Sequence, residues 1–234
     1  VHNNIFGFTG LVLAGVALNV LPALFGRSLA RPAWVRPTFW LMTVGAFLLW
    51  LGPYTGVRLA TGAGLLVYVS GVGLMLANVW QTLRRPAPVP SVLSVQWLVS
   101  YLWIAAPAVA AVVFALLRPQ RLTVAAAELG VMQGLIYGWI LPIVLGFLPA
   151  VGGRVLGGAE DWNPPISPAE GSRASVILLN LAVAAIWLAS IVLPWEQARP
   201  IVAAAYGLLI VATLPYVRRL MRMVHTAAPA AWQG

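Results

Sequence analysis

Apolar stretches about 20 residues long follow one another along the whole chain, and nearly every charged side chain falls in the short breaks between them. Inside a bilayer the backbone N–H and C=O groups find no water. A stretch of that length therefore closes its hydrogen bonds within itself and becomes a spanning helix. The pattern predicts seven spans: Ile5–Phe25, Pro37–Leu51, Leu59–Leu83, Val95–Leu117, Thr123–Leu148, Ala174–Leu193 and Ile201–Tyr216. The second is the shortest. It is closed by Gly52-Pro53, and reaches across with Arg36 snorkelling to the interface. The expected fold class is all-α: a polytopic transmembrane helical bundle of about seven spans, one domain over residues 1–234.

The breaks contain residues that stop helices, as in Arg84-Arg85-Pro86-Ala87-Pro88-Val89-Pro90 and Arg118-Pro119. The longest break, about Ala150 to Arg173, holds Glu160, Asp161 and Glu170, three of the five carboxylates. It reads as a solvated loop, with a partner contact as the alternative. The first span has no basic segment before it and no small-residue cleavage site. It is read as a retained helix rather than a signal peptide.

Composition narrows the chemistry. The chain has no Cys, which excludes disulfides and thiolate metal sites from its own residues, and no Lys, which excludes a Schiff base. The formal charge of +9 comes from arginines that flank apolar stretches. That placement fits anionic headgroups and membrane topology, and no nucleic-acid partner is expected. Arg27, Arg31, Arg36, Arg84, Arg85, Arg154, Arg173, Arg218, Arg219 and Arg222 fall on one side of the predicted topology, against Arg58, Arg118, Arg121 and Arg199 on the other. Positive charge favours the cytoplasm, so the expected placement is a bacterial or archaeal inner or plasma membrane, N-terminus outside and C-terminus cytoplasmic.

A faint repeat relates His2–Arg27 to Leu129–Arg154 without gaps. Gly7 matches Gly134, Leu21-Pro22-Ala23 matches Leu148-Pro149-Ala150, and Gly26-Arg27 matches Gly153-Arg154. The shared ending Leu-Pro-Ala-x-x-Gly-Arg puts a helix terminator and an interfacial Arg at the same point of each span. A parallel three-helix repeat follows, with halves 1–90 and 123–222 and a linking span over 91–122.

Two residues stand out as candidates for chemistry. His2 precedes the first span on the expected outer side, and imidazole is a common ligand of heme iron and copper. Glu128 is the one carboxylate that reads as part of a span, where a charge is expensive. In the repeat it falls beside the position equivalent to His2. Such a pair would bind a metal, steer a proton or make a plain hydrogen bond, and the sequence leaves these open. Asn19, Asn78, Gln81, Gln96, Gln133, Tyr137, Asn180 and Tyr206 also lie within spans and read first as ties between helices. The glycines of the first and third spans read as points of close helix packing. Trp40, Trp50, Trp80, Trp97, Trp103, Trp162 and Trp195 fall near span ends and read as interfacial anchors.

The stretch His2-Asn3-Asn4-Ile5-Phe6-Gly7-Phe8, followed by Gly15 and Leu21-Pro22-Ala23-Leu24-Phe25-Gly26-Arg27, resembles a helix of small membrane proteins related to the heme–copper oxidase catalytic subunit, NnrS-like proteins among them. Gly134-Leu135 and Leu148-Pro149-Ala150-Val151-Gly152-Gly153-Arg154 resemble a later helix of that family. The resemblance implies a helical membrane fold tied to respiration or nitric oxide metabolism, with heme b held by histidines between helices. Only His2 carries over as a ligand. Where the second copy would place another His, this chain has Leu129 beside Glu128.

The expected function is an integral subunit of a respiratory or other electron-transfer complex, structural or accessory rather than catalytic alone. Its partners would be the bilayer and other membrane subunits. It would contribute at most one heme or metal ligand, with His2 and Glu128 as the metal-site candidates. The alternatives are a membrane transporter that uses Glu128, and a fragment of a heme-binding oxidase-like or nitric-oxide-related protein.

Overall fold

A computed structural model of the chain describes residues 3–84, 92–106, 131–156 and 172–231, and every element among them is helical. Helix α1 runs through Asn3–Thr9 and Val16–Val20 as π-helix and through Gly10–Gly15 and Leu21–Leu24 as α-helix. Helices α2 (Val35–Thr55) and α3 (Arg58–Leu83) follow as a hairpin. Helix α4 (Val92–Leu102) leads into a 3₁₀ turn over Trp103–Ala105. Helix α5 is π-helical over Gly134–Ile140 and α-helical over Leu141–Leu156. Helices α6 (Arg173–Val192) and α7 (Trp195–Ala231) form a second hairpin. Six of these helices are long and apolar enough to cross a bilayer among the described residues, and the stretch Val92–Ala105 is a shorter apolar helix. The chain is an all-helical, multi-pass membrane protein. The residues expected at the far end of the fourth span and the start of the fifth lie outside the described residues, as does most of the Ala150–Arg173 connection.

Several boundaries differ from the hydropathy reading. Helix α2 runs through Pro53 instead of stopping there, and ends where Gly56 takes a left-handed conformation (φ 73°). A proline removes one backbone donor without forcing a stop when neighbouring helices hold the chain. Helix α7 is 37 residues long and ends at Ala231, so Arg218, Arg219 and Arg222 are helical rather than part of a tail. The shared Leu-Pro-Ala motif acts differently in its two copies. After Pro22 the chain turns out of the helix at Gly26 (φ 63°), whereas α5 continues past Pro149 to Leu156.

The helices assort into two compact units, one formed by α1–α3 and the other by α4–α7. In the first unit α2 and α3 meet along a seam of alternating glycines. Each glycine lies so close to the facing helix that a Cβ would collide with it. At Gly52 that Cβ would lie 2.6 Å from the Thr61 nitrogen, at Gly64 2.7 Å from that of Leu49, at Gly45 2.6 Å from that of Tyr68, and at Gly71 2.8 Å from Met42 Cγ. Gly45 and Gly52 are one heptad apart on α2, as are Gly64 and Gly71 on α3, so each pair keeps to one face. Lipid tails offer helices no hydrophobic drive to associate, and close backbone approach replaces it with van der Waals contact. Gly62 and Gly73 have nothing within 4 Å and play no part in the seam.

In the second unit α6 and α7 pair along Leu179, Ala182, Val183, Leu209 and Ala212. Trp97 and Trp139, expected at an interface and unassigned respectively, are both buried, with Trp97 beside Phe147 and Trp139 beside Tyr101. Trp97 is therefore core rather than an interfacial anchor. Trp40, Trp50, Trp80 and Trp195 are exposed.

Candidate functional site

His2 and Glu128, the two residues singled out for chemistry, both lie outside the described residues. Among the described residues the one carboxylate, Glu196, and the one imidazole, His225, are exposed on α7, and no cluster of three metal-ligating side chains occurs.

The described structure nearest His2 in sequence is a groove of about 580 Å³ between α1 and α2. The π-helical turns of α1 place Asn4, Gly7 and Phe8 along one wall. Thr43, Ala46, Phe47 and Trp50 of α2 form the other. A π-turn carries one more residue than an α-turn and such segments recur at functional sites. The Thr43 hydroxyl has no hydrogen-bond partner in the protein. From the groove an aromatic ladder continues along α2: Phe47 lies 5.7 Å from Trp50, and Trp50 stacks on Tyr54 at 5.5 Å and 17°. A flat lipophilic group suits such walls. No described residue of the groove offers an imidazole.

The second unit also has an aromatic-lined cavity, walled by α4, the 3₁₀ turn and α6. Its π-segment begins at Gly134, the repeat equivalent of Gly7, and supports the aromatic lining of this cavity of about 370 Å³. Gly138 lies under Trp103, and Gly134 lies against Trp187. The two indoles meet edge to face at 6.4 Å, and both line the cavity together with Leu102, Asn180 and Leu188. Trp103 Nε1 donates to Asn180 Oδ1 at 2.9 Å, and Asn180 Nδ2 donates to the Val176 carbonyl of its own helix.

Most of the amides singled out in the spans serve as ties. Gln96, buried on α4, donates through Nε2 to the Pro142 carbonyl of α5 and accepts at Oε1 from the Tyr216 hydroxyl of α7 at 2.5 Å. One side chain thus joins three helices. Gly146 leaves room for it, since a Cβ there would lie 3.3 Å from Gln96 Nε2. Asn78 and Gln81 of α3 hold the loop after α1, described below. Asn19 instead bonds to Gly15 of its own helix, and Tyr137 meets Tyr206 edge to face at 5.6 Å. Gln133 Oε1 is buried with no partner in the protein. The Gln96 junction was legible as a polar residue in an apolar stretch. Its partners were not, because Pro142 contributes a backbone atom and Tyr216 lay at a predicted span end.

Tyr216→Phe is expected to cost about 1 kcal/mol, and Gln96→Leu somewhat more because it leaves the buried Tyr216 hydroxyl without an acceptor. A double-mutant cycle on unfolding of the purified protein should return a coupling of about 0.5–1.5 kcal/mol. Additive single changes would mean that the junction is not formed.

No protein-family model matches this chain, and no curated protein or solved structure matches it either.

Proposed function

We propose that this chain is an accessory integral subunit of a membrane electron-transfer complex, heme–copper-oxidase-like in descent, and that it supplies packing surfaces and at most one ligand, His2, to a cofactor held with a partner subunit. The observation that carries this reading is the aromatic-lined groove at the π-helical start of α1, immediately after His2 in the sequence. The likeness of His2–Arg27 to the oxidase-related helix supports it. So does the use of the span amides: Gln96, Asn78 and Asn180 are engaged in holding helices and loops together rather than grouped around a substrate path. The exposed ladder of Phe47, Trp50 and Tyr54 offers a partner helix, or the edge of a flat cofactor, a rigid face.

The test is purification from native membranes in mild detergent, followed by an optical spectrum. The expected result is comigration with subunits that carry heme, and a Soret band that weakens on His2→Ala. A chain recovered alone, without a Soret band in any preparation, would overturn the reading.

A further inference from the structure

At the far end of α3 the loop after α1 is fastened to the helix by a set of hydrogen bonds. Asn78, fully buried, accepts from the Arg31 backbone N–H through Oδ1 and donates to the Arg31 carbonyl through Nδ2, both at 2.9 Å. The Ala30 N–H donates to Thr82 Oγ1 at 2.9 Å. Arg27 Nη1 donates to the carbonyls of Thr82 (2.9 Å) and Leu83 (2.5 Å), the last of α3. A helix C-terminus normally repels anions, because its unpaired carbonyls carry partial negative charge. Here Arg27 caps them.

The fastening holds the Arg27 side chain and the Arg31 backbone at the end of α3, where Arg84 follows Leu83 directly in sequence. Two carbonyls occupy a single nitrogen of Arg27, and the rest of its five-donor fork remains. Arg31 lies over Trp34 at 6.0 Å, with Nε 3.5 Å from Gln81 Oε1. Arg84 lies over Trp80 at 4.6 Å. Arg36 and Arg85 adjoin them in sequence, and none of the chain's five carboxylates falls within residues 1–127. A planar guanidinium fork matches phosphate oxygens in pairs.

We infer that this arginine-lined end of α3 seats the phosphate of an anionic phospholipid. The ligand chemistry is phosphate, and the surroundings select a lipid as its source. Trp34 and Trp80 are side chains suited to headgroup depth. Phe39 and Trp40 continue from Arg36 along α2, each about half exposed (49% and 54%), and give acyl chains an apolar surface. Asn78 and Thr82 fix the loop backbone, so the arginine heads are arranged before the lipid arrives.

The full-length chain in detergent, mixed with phosphatidylglycerol or phosphatidylcholine and examined by native mass spectrometry, tests this. Phosphatidylglycerol adducts should survive activation that strips phosphatidylcholine. Arg31→Gln/Arg84→Gln should weaken their retention roughly ten-fold or more. Those two substitutions leave every backbone bond of the fastening in place, and an unchanged unfolding temperature checks that. Arg58→Gln, at the opposite end of α3, should retain lipid like the parent. Equal retention of the two lipids, or equal retention by the double variant, would overturn the inference. So would displacement of the lipid by millimolar inorganic phosphate, which would make this a soluble-anion site.

Discussion

Gly45→Leu should strongly destabilise the α2–α3 hairpin. A Cβ at Gly45 would lie 2.6 Å from the Tyr68 nitrogen and 2.7 Å from its Cα, and these are backbone atoms that cannot rotate away. The helices would have to separate, which would break contact at Gly52, Gly64 and Gly71 in turn. Even Gly45→Ala should cost about 1–3 kcal/mol, the usual penalty for overpacking, and leucine should exceed that. Gly62→Ala is the matched control. It meets nothing within 4 Å, and alanine is the better helix former, so stability should hold or rise by about 1 kcal/mol. Denaturant unfolding of the purified protein reads all three. Equal effects at Gly45 and Gly62 would mean that the seam is not tight.

Gly138→Ala should displace Trp103, with consequences for the whole lining of the α4–α6 cavity. The new Cβ would fall 2.4–2.7 Å from Cγ, Cδ2 and Cδ1 of the indole. Trp103 would lose its bond to Asn180 and its edge contact with Trp187. The expected cost is about 1–3 kcal/mol. Trp103→Ala alone should cost about 3 kcal/mol, the low end for a large aromatic because this one is half-buried. The decisive measurement is the pair together. On the Trp103→Ala background Gly138→Ala has nothing to strike and should cost almost nothing more. Additive penalties would show that Gly138 matters for some other reason.

The two glycine sites illustrate what the sequence conveyed. Hydropathy located the six membrane-crossing helices, because a bilayer admits few other backbone solutions, although α7 starts before Ile201 and runs well past Tyr216, the ends expected for it. It marked glycines of the third span as packing points, and Gly64 and Gly71 are, but it did not separate them from Gly62 and Gly73. That separation depends on which face meets α2, and a helix apolar on every side carries no such signal. Gly138 was missed for the same reason, since its partner Trp103 is distant in sequence and reads as an interfacial anchor. Polar residues in apolar stretches were the better guide, as Gln96, Asn78 and Asn180 proved to be joints. The end of α2 was misplaced because Gly52-Pro53 resembles a stop. The actual stop is Gly56, one turn later, where positive φ is required.

The length of α7 bears on the kind of membrane the protein can occupy. Arg199 and Arg218 bracket its apolar portion, and at the rise of an α-helix they stand about 28 Å apart. That nearly equals a typical hydrocarbon thickness of about 30 Å, so the helix can stand nearly upright with both guanidinium groups at the lipid surface. Beyond Arg218 the helix continues to Ala231, about 20 Å further along its axis. Apolar side chains continue past both arginines, with Trp195 before Arg199 and Leu220 and Met221 after Arg218, so the apolar span reaches from Trp195 to Arg222. In a thicker bilayer these flanking turns can enter the apolar zone while the arginine side chains reach back to the headgroups, and α6, paired along α7, moves with it. The helix is thus matched to a range of bilayer thickness rather than to a single value, with the arginines setting the lower end.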